Sequence, residues 1–270
     1  MNWWGKLVGG AFGFMLGGPL GALLGVAIGS SFDKGLRGAM EGPSPDFGPG
    51  EQERVQTAFF TATFSVMGYL AKVDGRVSED EIRLAREVMA QMSLSSDLKQ
   101  TAMRLFTEGK QPGFPLDGVI DQFRRECHRR TNLMQMFIEI QLHVAYADGV
   151  MHDKERRVLL GICERLGFTP SQFQQLEAMV QAARHFSSGG YQAQASPASL
   201  LKDAYDVLGV QASSSDDEIK KAYRRLTNQH HPDKLVAKGL PEEMIKLATE
   251  KTQEIRKAYE IIRDERRKTK

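Results

Sequence analysis

Cysteine and tryptophan are scarce in this 270-residue chain, two of each, and an excess of either charge is missing: 36 Lys and Arg stand against 34 Asp and Glu, a formal net charge of +2. Cys127 and Cys163 lie far apart, so the Cys-x-x-Cys spacing of a zinc or redox centre is absent and nothing asks for an oxidising compartment. Both sit in helix-periodic stretches and read as buried thiols. The near-neutral balance removes any overall drive toward nucleic acid or acidic lipid, so an electrostatic partner must be met by a local patch. Alternating strand patterns are missing as well. From residue 51 onward the apolar residues step by three and four, which predicts an all-α fold.

Charge is absent altogether from Leu7 to Phe32. As a helix this stretch is about 39 Å long, enough to cross a hydrocarbon core of about 30 Å. Six glycines recur in it at every fourth position: Gly9, Gly13, Gly17, Gly21, Gly25 and Gly29. A phosphate loop needs a preceding strand and a Lys-Ser/Thr pair after the last glycine, and neither is present. A cleavable export signal is the stronger rival, since Lys6 precedes the run and Ala27-x-Gly29 imitates a cleavage site. Its apolar region, however, is normally only about 7 to 15 residues. The expectation is a transmembrane helix over 7–32, after a short segment 1–6, whose glycine face meets a second copy in the bilayer to form a homodimer. Lys6 and the N-terminal amine on one side, with Lys34 and Arg37 on the other, leave its orientation undecided.

Glycine and proline crowd the end of the stretch 33–50, which reads as a flexible linker. A helical domain follows over 51–185. Within it the chain repeats itself: "AKVDGRVSEDE" at 71–81 returns as "AYADGVMHDKE" at 145–155, and Val66 and Leu70 match Ile140 and Val144. Two related helical units are expected to pack about a pseudo-twofold axis, because neither buries its apolar face alone. The acids invite a metal reading, with Asp74, Glu81, Asp148 and Glu155 as oxygen donors. The spacing falls short of a calcium loop, and a turn with acids opening the next helix accounts for the pattern, so no cofactor is expected. The doubled A-x-x-D-G pattern on paired helices resembles the tellurite-resistance TerB family. That resemblance implies a helical sensing or interaction module, for which carboxylate metal sites have been proposed, and no defined reaction.

A second tether, 186–199, leads to the last seventy residues. Here a helix from Leu200 to Leu208 precedes one that runs from Asp216 to about Gln229, capped within Ser213 to Asp217. This second helix opens with acids and continues with Lys220, Lys221, Arg224 and Arg225 on one broad face, while Ile219, Ala222, Tyr223 and Leu226 supply the inner one. Pro232 closes it, placing His231, Pro232 and Asp233 on an exposed turn. A further helix from near Pro241 then pairs antiparallel with the second.

"DAYDVLGV", "IKKAYRRLTNQHHPDK" and "IRKAYEIIRD" resemble the three signature segments of a DnaJ J-domain, in order, across 200–270. The resemblance implies that His231, Pro232 and Asp233 trigger ATP hydrolysis in a DnaK-type chaperone, and that Lys220, Lys221, Tyr223, Arg224 and Arg225 dock on it. The fourth helix of longer J-domains looks truncated. His231 has no nucleophile beside it in the motif, so the chain is not expected to be an enzyme.

The order of parts is similar to DnaJ-like membrane co-chaperones that carry a TerB-like domain. It implies a regulatory partner of DnaK in a bacterial inner membrane, linked to envelope stress and capsule signalling. DnaK and ATP are cytoplasmic, so the N-terminus is expected in the periplasm and the domains inside. The alternative is a metal-sensing membrane adaptor whose TerB-like domain controls J-domain output. Nucleic acid is not an expected partner.

Overall fold

The computed structural model describes residues 17–32, 50–73, 89, 94–146, 149–187 and 197–268. All regular elements among them are helical. In chain order they are α1 (Gly18–Phe32), α2 (Glu51–Leu70), α3 (Ser96–Gly109), α4 (Leu116–Glu126), α5 (Thr131–Ala145), α6 (Asp153–Leu166), α7 (Pro170–Ser187), α8 (Pro197–Leu208), α9 (Asp216–His230), α10 (Pro232–Ala237) and α11 (Ile245–Lys268), with a 3₁₀ turn at Glu242–Met244.

α2 is the centre of the first domain. Its apolar residues from Val55 to Leu70 are buried on every side, because α1, α3, α4 and α5 all pack against it. Phe59 on α2 meets Phe123 on α4 edge-on at 6.0 Å, and Phe123 meets Phe137 on α5 at 4.7 Å. Three helices are thereby joined by one chain of rings, each pair contributing about 0.5–1.5 kcal/mol beyond its burial. Val66 with Leu70 on α2, and Ile140 with Val144 on α5, are all buried, as the repeat requires. The closest crossing is between α2 and α3. A Cβ on Gly68 would land on the Phe106 carbonyl, and one on Gly109 on the Ser65 carbonyl.

α1 differs from the continuous helix expected over 7–32. Residues 1–16 lie outside the described residues, and the helix starts only at Gly18, after Gly17 and Gly18 take φ of +56° and +61°, left-handed backbone that glycine adopts without a Cβ clash. Its 15 residues are about 22 Å long. Among the described residues no helix is long and apolar enough to cross a membrane. Leu20, Leu23 and Ala27 are instead buried in the core of the first domain. Gln122 of α4 brackets the helix start, accepting from Leu20 N and donating to Gly17 O, both at 2.9 Å, and Arg104 donates to Ala27 O at 2.9 Å. Of the expected glycine face, Gly9 and Gly13 lie outside the described residues, Gly21 is buried, and Gly17 and Gly25 are exposed with open space at their Cβ positions.

The C-terminal helices are not a separate body. α8, α9 and α11 share a core of Ala204, Leu208, Ile219, Leu226, Ile255 and Ile262, and Met179, Ala182 and Ala183 of α7 belong to it. α7 and α8 each reach further into the expected tether than their apolar periodicity indicates, to Ser187 and from Pro197. Cys127 and Cys163 are buried as expected, and that burial pushes both thiols up to about 12.

Candidate functional site

The start of α9 is set by a capping box. Ser215 N donates to Glu218 Oε2 at 2.8 Å and Glu218 N to Ser215 Oγ at 3.3 Å. The bonds from Ser215 hold the Glu218 carboxyl below its usual range. From there the helix separates its faces: Ile219, Ala222, Leu226 and His230 point into the core, while Lys220, Lys221, Arg224 and Arg225 are all exposed. The result is a cationic strip along one side. Tyr223, expected on both the inner and the docking face, is half-buried and stacks on Tyr259 of α11 with ring centroids 4.3 Å apart. It joins the two helices.

At the end of the strip the chain turns. His231 is extended, at φ −60° and ψ 124°, and its Nδ1 accepts from Asp233 N at 3.2 Å. The imidazole therefore caps α10, and its neutral form carries the proton on Nε2. Pro232 and Asp233 are not loop residues but the first turn of this short helix, where proline's missing N–H and fixed φ suit the backbone. Lys234 Nζ contacts Asn228 Oδ1 across the turn. The side chain of His231 is 44 % exposed and that of Asp233 91 %. Imidazole and carboxylate thus stand open to solvent directly after the cationic helix, with the half-buried Pro232 between them. Such a surface can dock an acidic patch and make short-range contacts beside it.

Residues 203–270 match the DnaJ domain family, residues 60–178 the family of the tellurite resistance protein TerB, and residues 1–39 the co-chaperone DjlA transmembrane domain. Over its whole length the chain is similar to co-chaperone protein DjlA of Coxiella burnetii, with 47% identity over 97% of this chain and 98% of that one. The same holds for co-chaperone protein DjlA of Photobacterium profundum, at 44% identity over 97% and 99% of the two chains. The chain belongs to the co-chaperone DjlA family. No solved structure matches it.

As a DjlA-family protein it carries a membrane-associated domain, a TerB domain and a J-domain, whose partner is an Hsp70-type chaperone. Of the four weak metal candidates, Asp74, Glu81 and Asp148 lie outside the described residues. Glu155 is buried, and its Oε2 accepts from His152 N at 2.9 Å to close a capping box at the start of α6. Among the described residues no group of three His, Cys, Asp or Glu is gathered to hold a metal ion.

Sequence reasoning on this DjlA-family chain missed Arg266. It donates to Tyr205 Oη, Asp216 Oδ1, Ala212 O and Ser214 O at 2.7–3.1 Å. This one guanidinium ties the end of α11 to the loop that precedes the docking helix. The signal was available, since Ile255, Ala258 and Ile262 mark the buried stripe of α11 and Arg266 is the next residue on it.

Proposed function

We propose that this chain is a membrane-anchored co-chaperone that stimulates ATP hydrolysis by a DnaK-type chaperone and hydrolyses nothing itself. The observation that supports this is the solvent-accessible side chains of His231 and Asp233, joined by the half-buried Pro232, at the end of the Lys220, Lys221, Arg224 and Arg225 strip. Opposite charge speeds encounter with an acidic surface and sets its register. The tripeptide then contacts the hydrolysis-competent state of the chaperone more strongly than the other, because equal affinity for both states shifts nothing.

The anchor is a single span within 7–32, with the N-terminus in the periplasm and the domains in the cytoplasm of a bacterial inner membrane. An apolar outer side of α1, with Ala22, Gly25 and Val26 exposed, supports a lipid-facing segment. Its glycine register is the proposed homodimer face. The output is regulatory, tied to envelope stress and capsule signalling, with clients recruited by the TerB domain.

The test is steady-state ATPase turnover of a purified DnaK-type chaperone with the full chain in detergent micelles. Wild type raises turnover, and His231→Gln, with an unchanged circular dichroism spectrum, abolishes the increase. Full stimulation by His231→Gln sinks the assignment.

A further inference from the structure

The three residues of the trigger are held from both sides by the TerB domain. Before them, Asn132 of α5 donates from Nδ2 to Gln229 O at 3.1 Å, and the His230 side chain is buried 3.5 Å from Glu139 Oε1, also of α5. Gln135 donates to that same carboxylate oxygen at 2.8 Å, and Lys251 Nζ of α11 stands 3.9 Å from Glu139 Oε2. Thr252 of α11 donates to His230 O at 3.1 Å. After the trigger, Gln52 of α2 donates to Val236 O at 3.3 Å, and Gly239 lies so close to Val55 that a Cβ there would come within 2.7 Å of its Cγ1. Leu235, Leu240, Met244 and Ala248 are fully buried in the core of the TerB domain.

Glu139 is the hub of the first attachment. It is only 6 % exposed, a carboxylate drawn out of water that is compensated by groups from the J-domain itself. Such a group fixes geometry, because its removal leaves Lys251, also buried, with Glu254 at 3.7 Å as its remaining ion-pair partner among the described residues. His230 is the residue bonded to His231, so its placement sets where the imidazole begins. Occlusion does not follow from the docking. His231, Asp233 and the whole cationic strip stay exposed in the docked arrangement, so this is the state that presents the trigger.

We infer that Glu139, in the TerB domain, is a positioning residue for the chaperone trigger of the J-domain, acting through buried His230. The inference rests on the co-chaperone reading and deepens it: the TerB domain sets the efficiency of stimulation, while affinity belongs to the cationic strip.

The experiment titrates a purified DnaK-type chaperone against the full chain in micelles and separates maximal stimulation from the concentration that gives half of it. Glu139→Ala is expected to lower the maximum about tenfold, as the loss of a charge-assisted contact would, and to keep half-saturation within about twofold. Glu139→Gln, which still offers an acceptor to Gln135, retains more of the maximum than Glu139→Ala. Asn132→Ala, outside the buried cluster, lowers the maximum less and in the same way. An unchanged or raised maximum in Glu139→Ala overturns the inference, and so does a parallel loss of maximum and half-saturation. A wild-type chain that gives no stimulation overturns the co-chaperone reading and this inference with it, whereas stimulation by wild type and Glu139→Ala alike overturns this inference alone.

Discussion

His143 shows how burial turns a single side chain into a stability term. It lies on α5 one turn beyond Glu139, and burial lowers it from an ordinary 6.5 to about 4, with the Arg184 and Lys251 charges pushing the same way. Its folded state binds a proton less readily than the unfolded chain does. Stability from this residue is therefore complete above pH 6.5 and is lost as pH falls from 6.5 to 4, by up to about 1.4 kcal/mol per pH unit. His230 acts in the same direction, since its burial outweighs the pull of the Glu139 carboxylate. The melting temperature of the full chain is expected to drop over that window, and His143→Gln to flatten the drop. A variant whose melting profile parallels wild type between pH 6.5 and 4 refutes this assignment.

At the scale of helices, small residues decide how closely elements approach. Fourfold glycine spacing in α1 marks a face where another backbone can come near, but the tightest approach in the described structure uses Gly68 and Gly109, which belong to no repeat. Their backbones touch because neither residue has a Cβ to hold α2 and α3 apart. Gly68→Ala therefore forces the pair open and is expected to destabilise the protein by about 3 kcal/mol, even though alanine is the better helix former. Urea unfolding followed by circular dichroism measures it; a shift toward greater stability would show that α3 tolerates the displacement. The same scale explains Tyr223. Amphipathic spacing put it on the border between two faces, and only the arrival of Tyr259 from α11 determined which one it serves.

For the whole molecule, the N-terminal segment has two possible neighbours, a domain surface and a membrane, and its composition suits both. Leu20, Leu23 and Ala27 meet the TerB domain, whereas Val26 is 58 % exposed on the other side. A glycine face that associates copies in lipid makes a measurable claim. Crosslinking in membranes is expected to yield dimer for wild type and much less for Gly17→Leu combined with Gly21→Leu; an equal yield would remove the glycine register as the dimer contact.

The all-helical class, the doubled TerB-like unit, the buried cysteines, the cationic strip and the His231-Pro232-Asp233 motif were all determined by the amino-acid order. Each is a local property: a period of 3.6, a spacing or a run of residue types is already complete within one segment of chain. The break at Gly17 and Gly18, the Gly68 and Gly109 crossing, and the fastening of the trigger to Glu139 were decided by tertiary structure. Periodicity marks which face of a helix must be buried and is silent about what buries it. Glu139, His230, Lys251 and Arg266 all stand on buried stripes as polar residues, which flags them as needing partners. The identity of each partner depends on contacts between residues as much as 112 positions apart, as in Glu139 and Lys251, and only the assembled fold brings those together.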